Sequence, residues 1–261
     1  MTTGKTALIT GASGGIGYEL ALIHAKAGDN LVLVARSEDK LNELKNHLEK
    51  QYGIDVHVLP LDLSEISSPE KVYAFTQEKG IFVDYLVNNA GFGDFGFFHE
   101  ADWDKTNAMI QLNITILTHL THVYIRDMIK AKKGKIMNVA STAAFQPGPT
   151  MAVYYATKAY VLHFSEAIGN EVKPYGITVT ALCPGATESG FQAAAAMENS
   201  KLVKGKKLPA SQEVAAYGHK AMMNGKAVAV HGFMNYLMAN AARFFPRSWT
   251  VKVVRKIQDA R

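Results

Sequence analysis

Lys5-Thr6-Ala7-Leu8-Ile9-Thr10-Gly11-Ala12-Ser13-Gly14-Gly15-Ile16-Gly17 decides the fold. Its first half is a short apolar run of the kind that forms a strand buried on both faces. Glycines at 11, 14, 15 and 17 then interrupt it, and an amphipathic stretch to Gly28 reads as a helix. A strand, a tight glycine turn and a helix N-terminus in that order aim backbone N–H groups and the positive end of a helix dipole at one point. That is a cradle for phosphate. The spacing is T-G-x-x-x-G-x-G rather than G-x-G-x-x-G, so a tight turn that carries no ligand is the competing interpretation. Gly11, Ser13 and Gly15 also satisfy G-x-S-x-G, which would make Ser13 the nucleophile of a hydrolase. Against that, the pattern follows the first strand, no H-G-G-G segment precedes it, and the nine histidines offer no evident triad partner.

Outward from this turn the same alternation repeats. NLVLVA (30–35), VHVLP (56–60), VDYLVNNA (83–90), GKIMNVA (134–140) and ITVTALCP (177–184) read as strands. Segments 15–28, 37–52, 68–80, 104–132 and 153–175 read as helices, with Ser37 a capped start and Pro69 in a first turn. Repeated βαβ units predict an α/β, doubly wound parallel sheet with helices on both faces. No repeat, low-complexity tract or linker divides the chain, so residues 1–261 are expected to form one domain. Residues 187–209 are expected to be a substrate lid, and 232–261 a C-terminal helical extension ending in a basic segment. That extension is expected to cover the substrate pocket or join an interface rather than lie on a membrane surface, which a mild positive charge alone binds weakly.

Composition limits the partners. The chain has 261 residues, 48% hydrophobic and 20% charged, enough to bury a sizeable core. A formal charge of +5, with one local cluster at Lys201, Lys204, Lys206 and Lys207, lacks the dense stripe of a nucleic-acid footprint. The single cysteine, Cys183, excludes an internal disulfide and a cysteine zinc site, and a reducing, cytoplasmic location is expected. The apolar stretch 227–245 is broken by His231, Asn235, Asn240 and Arg243, so no integral membrane segment is expected. His119 and His122 lack a third ligand, and no metal is expected.

Two strand ends speak to a dinucleotide. A carboxylate after the second strand would bind the adenosine ribose of NAD. Here Arg36 and Ser37 stand instead, which suits a 2′-phosphate and favours NADP(H). Arg36 is otherwise a surface arginine near a helix start. Asp62 and Leu63, after the third strand, meet an adenine ring, or Asp62 serves only the turn.

Tyr154 and Lys158 are four apart and share one helix face. Ser141 ends the fifth strand, and Asn113 lies in the preceding long helical segment. With Thr10–Gly17, Asp62, Asn88-Asn89-Ala90-Gly91 and Pro184-Gly185, these residues resemble the short-chain dehydrogenase/reductase family across about residues 5–190. The resemblance implies a seven-stranded Rossmann-type sheet and hydride transfer between NADP(H) and a carbonyl or alcohol. It also implies a homodimer or homotetramer formed through the helices at 104–132 and 153–175. It makes Asn113, Ser141, Tyr154 and Lys158 the catalytic set. The cofactor would be held by Gly11, Ser13, Gly14, Gly15, Ile16, Gly17, Arg36, Ser37, Asp62, Leu63, Asn89, Ala90, Gly91, Tyr154, Lys158, Pro184, Gly185 and Thr187.

The chemistry fits those roles. A reduced carbonyl needs a proton and a hydrogen bond on its oxygen, expected from Tyr154 and Ser141. A free phenol, with a pKa of ~10, needs help at neutral pH, and Lys158 is expected to favour the phenolate. Asn113 is expected to position Lys158 through a water. Asn88 is expected only to pair backbone, and Cys183 only to fill space. Phe92, Phe95, Phe97 and Phe98, with Phe145, Pro147, Met151 and Tyr155, would form an apolar substrate wall, although ordinary core explains Phe97 and Phe98 equally well. A non-catalytic NADP-binding regulator is the remaining alternative.

Overall fold

The computed structural model describes residues 4–191, 195, 197, 205, 207–241 and 244–258. Seven strands form one parallel sheet: β1 (Thr6–Thr10), β2 (Asn30–Ala35), β3 (Val56–Pro60), β4 (Tyr85–Asn88), β5 (Gly134–Val139), β6 (Ile177–Cys183) and β7 (Val228–Val230). Their spatial order is β3-β2-β1-β4-β5-β6-β7. This is the Rossmann-type, doubly wound α/β architecture expected from the sequence.

The helices are α1 (Gly15–Lys26), α2 (Glu38–Tyr52), α3 (Ser68–Glu78), α4 (Trp103–Ile110), α5 (Leu117–Ala131), α6 (Ala152–Val172), α7 (Ser211–Met223), α8 (Phe233–Ala241) and α9 (Arg247–Gln258). Strand residues alternate between two cores with the period of two that a pleated strand imposes. Ala7, Ile9, Leu31 and Leu33 face α1, α2 and α7, meeting Leu20, Leu41, Leu48 and Met222. Leu8, Val32, Val34 and Leu86 face the opposite side, meeting Val72, Leu120, Tyr124, Met128 and Val172 from α3, α5 and α6.

Three features differ from the sequence reading. β7, only three residues long, lies just before the helical extension, in a stretch that the sequence reading assigned to no strand. The segment read as one helix from 104 to 132 is helical throughout, but its hydrogen bonding widens to a π turn at Gln111–Ile116 between α4 and α5. Ser37 precedes α2 in extended conformation, but its side chain makes no capping bond.

The strand order reverses between β1 and β4, both hydrogen-bonded neighbours running parallel from Ala7↔Tyr85. In such a sheet the crevice beyond the carboxyl ends of those two strands is the natural ligand site. The glycine turn after β1 and Asn89–Gly91 after β4 border it.

Candidate active site

Thr10 ties the two loops of the crevice together. Its hydroxyl oxygen accepts the N–H groups of Asn89 (2.9 Å) and Ala90 (3.0 Å). The Asn89 amide in turn donates to the carbonyls of Thr10 (2.9 Å) and Gly11 (3.2 Å). Gly11 sits at φ +66°, in the left-handed region where glycine is unstrained. Gly14 precedes α1 and offers no side chain to cap its first turn, whose residues Gly15 and Ile16 line the crevice. Gly17 does different work. A Cβ there would lie 2.4 Å from the Gly11 carbonyl oxygen, so its role is close packing of α1 against the turn.

A cavity of about 1370 Å³ runs along the crevice. Among the residues singled out by sequence, Gly11, Ser13–Ile16, Arg36, Ser37, Asp62, Leu63, Asn89–Gly91, Ser141, Tyr154, Lys158, Pro184, Gly185 and Thr187 line it. Gly17 and Asn113 stand behind its wall. Asp62 is exposed and accepts the Ser64 N–H at 2.9 Å, a bond that holds its carboxyl below its ordinary range. It therefore serves the turn as well as the cavity edge.

The middle of the cavity gathers the Ser, Tyr and Lys side chains. The Ser141 hydroxyl accepts from Ala143 N–H (3.1 Å), donates to the Pro184 carbonyl (3.4 Å), and stands near enough to the Tyr154 phenol to favour its ionised form. Lys158 Nζ donates to the Val139 carbonyl at 2.7 Å and lies 5.8 Å from the Tyr154 ring centroid. Gly91 leaves room beside them, since a Cβ there would come 2.8 Å from Asn113 Oδ1 and 3.5 Å from Lys158 Nζ. Asn113, carried on the π turn, clamps the loop after β4. Its amide donates to the Phe92 carbonyl (2.9 Å) and to Thr157 Oγ1 (3.1 Å), and accepts Phe92 N–H (3.2 Å).

The electrostatics depart from the expectation of an acidified phenol. Burial pushes Tyr154 well above the ordinary phenol value, and the nearby Ser141 hydroxyl only partly opposes it. Burial also pushes Lys158 down to about 8. Desolvation disfavours both charged forms and outweighs the attraction that i, i+4 spacing alone would predict. Cys183, buried, is pushed up to about 12, consistent with a space-filling thiol.

Asn88 is structural, but it pairs side chains rather than the expected backbone. It donates to Thr121 Oγ1 (3.0 Å) and Asn138 Oδ1 (2.9 Å), joining β4, β5 and α5. The aromatic wall is only partly assembled. Phe92, Met151 and Tyr155 line the cavity, and Phe95 packs behind them. Pro147 is exposed, and Phe98, at 63% exposure, belongs to neither wall nor core. Phe97 instead carries the Arg255 guanidinium 4.9 Å from its ring centroid.

The C-terminal extension forms the far wall, with residues that the sequence reading did not single out. Met238 from α8, Phe245, and Trp249, Val253, Ile257 and Gln258 from α9 line the cavity. Gln258 Nε2 donates to the Tyr155 hydroxyl, across a sequence separation of 103 residues. Phe191 packs on Tyr154 with ring centroids 5.4 Å apart. Most of the expected lid lies outside the described residues. Of it, Thr187, Ser189, Gly190, Phe191, Met197, Leu208 and Pro209 line the cavity.

The short chain dehydrogenase family matches residues 5–200. The chain is 32% identical to the very-long-chain 3-oxoacyl-CoA reductase of Mus musculus over 186 residues, covering 69% of this chain and 59% of that protein. Among solved structures, a short-chain dehydrogenase from Sphingobium yanoikuyae in complex with NADPH superposes with a TM-score of 0.82 at 30% identity, over 92% of this chain and 94% of that one. A bulky-bulky ketone specific alcohol dehydrogenase from Comamonas testosteroni superposes at 0.79 with 29% identity, over 92% of each chain. On its sequence match, its sheet order and its strand-end residues, the chain belongs to the short-chain dehydrogenase family.

Proposed function

We propose that this chain is an NADP(H)-dependent oxidoreductase, moving a hydride between the nicotinamide and an apolar carbonyl or alcohol. One observation carries the proposal: a single cavity joins the uncapped start of α1 to Ser141, Tyr154 and Lys158. The cradle suits a dinucleotide, because a Cβ at Gly14 would meet nothing within 4 Å and no side chain caps the start of α1 there. Arg36 and Ser37 at the same end suit a 2′-phosphate. The NADPH complex of the Sphingobium relative and the bulky ketones of the Comamonas relative support the same reading.

When bound, the nicotinamide would supply the hydride that the carbonyl carbon receives. Tyr154 gives its phenolic proton to the carbonyl oxygen, and Ser141 hydrogen-bonds the same oxygen as charge gathers there. Hydride and proton together convert C=O to CH–OH. Burial keeps Tyr154 protonated as a donor, and the Lys158 ammonium stabilises the phenolate left behind. Asn113 acts as a positioning residue, holding the Phe92 loop and Thr157 beside Lys158. In this reading residues 1–261 form one catalytic domain, with 187–209 as its lid, in a cytoplasmic homo-oligomer paired through α5 and α6. Tyr160, exposed on α6, supports that pairing surface.

The test is NADPH oxidation, followed by absorbance, with a panel of ketones of increasing bulk. Tyr154→Phe should lower kcat by roughly 10²- to 10⁴-fold; unchanged turnover would overturn the reading. Reduction should fall as pH rises through about 8, where Lys158 loses its proton. Stability should move the other way between about 8 and the ordinary lysine value, because there the unfolded chain binds more protons than the folded one. A Ser13 hydrolase would instead label with a serine-directed phosphonate. Among the described residues no histidine lines the cavity with Ser13 to activate it.

A further inference from the structure

Eleven of the sixteen exposed large hydrophobic residues among those described fall between Phe233 and Ile257, so the exposed apolar surface is concentrated on α8, α9 and their connection. Phe233 is 76% exposed and Phe244 85%. Patches this concentrated mark an interaction surface rather than ordinary scatter. The same stretch is one-sided in charge. No Asp or Glu occurs between Val214 and Gln258, whereas Arg247, Lys252 and Lys256 are exposed on α9. On α9, Val254 and Gln258 turn inward, and the exposed Lys252 and Lys256 lie beside the exposed Trp249, Val253 and Ile257.

We propose that α8 and α9 dock this protein on an anionic lipid surface, lying in its interface without crossing it. Three features select that occupant. Apolar and aromatic side chains interleaved with cations are what an interfacial helix presents to acyl chains and phosphate headgroups. No helix among the described residues is long and apolar enough to span. A second copy of this chain meeting the face about a two-fold axis would set cation against cation, with no acidic side chain on α8 or α9 to pair them. The docking face also surrounds the cavity mouth. Met238, Phe245, Trp249, Val253 and Ile257 line the cavity while remaining 42–62% exposed, which places them at its opening. Resting on the proposed oxidoreductase activity, this arrangement would let an apolar ketone or alcohol dissolved in lipid enter without crossing water.

Co-sedimentation of the full chain with vesicles tests the docking, and it does not depend on turnover. Binding is expected to vesicles of equal phosphatidylcholine and phosphatidylglycerol, weakened by salt, and to be far weaker with phosphatidylcholine alone. Lys252→Gln with Lys256→Gln should lower partitioning roughly 30-fold. Phe233→Ser with Phe244→Ser should lower it independently, through lost apolar insertion. Both pairs lie off the cavity lining, so NADPH oxidation with a water-soluble ketone should be unchanged and reports intact folding. Absence of vesicle binding, or equal binding to neutral vesicles, overturns the proposal. So does a dimer that Phe233→Ser with Phe244→Ser dissociates in sedimentation.

Discussion

At the glycine-turn end of the cavity the walls are largely backbone, set at the carboxyl edge of the sheet and braced by Thr10 and Asn89. At the opposite end they are side chains of α8 and α9, which bury little beyond Ala239, Val254 and Gln258. The first end is over-determined. Each loop is held by hydrogen bonds of 2.9–3.2 Å from its neighbour, and strands pair on both sides of β1. The second end rests on few buried contacts and many exposed ones, the pattern of a region that opens at low cost. The difference teaches how one fold keeps a fixed cofactor cradle while leaving its substrate wall free to vary.

After loss of the Tyr154 phenol, the change expected to bear hardest on this contrast is Arg36→Ala. Losing charge-assisted hydrogen bonds worth roughly 1.5–3 kcal/mol should raise the NADPH Kd about ten- to a hundredfold and leave NADH binding nearly unaltered. Calorimetry with both dinucleotides checks it, and equal losses would show that the rigid end does not read the 2′-phosphate. Next comes a paired test within the turn. Gly17→Ala forces a Cβ onto the Gly11 carbonyl and the Asn89 amide, and should cost about 1–3 kcal/mol in thermal or urea unfolding. Gly14→Ala, pointing into open space, should stay within about 0.5 kcal/mol. Similar losses for the two would erase the distinction between packing and cradle glycines. The smallest effect is expected at the loose end. Trp249→Ala should raise KM for bulky ketones roughly fivefold through lost apolar contact, with NADPH Kd unchanged.

The same contrast explains what was legible in sequence. Local patterns exposed the rigid end, because strand, turn and helix are consecutive and Tyr154 and Lys158 sit one helical turn apart. Long-range facts stayed hidden. Nothing near Tyr155 announces Gln258, and a three-residue strand such as β7 is too short to show a period amid an apolar tail. Spacing gave the adjacency of Tyr154 and Lys158 but not their burial, and burial reversed the expected direction of the phenol. One detail inside the helix from 104 to 132 also stayed hidden, for a subtler reason. A widened turn leaves apolar periodicity almost intact on either side, so α4 and α5 read as one.

That widened turn has a consequence for the length of the chain. A π turn holds one residue more than an α-helical path needs. Deleting Leu112 would let the turn contract while α4 and α5 kept their facing. The same deletion beyond Leu117 would swing the remainder of α5 by about 100° and drive its polar side into the sheet. The surplus residue is thus a local slack that lets Asn113 reach the Phe92 loop without disturbing the register of the helices around it.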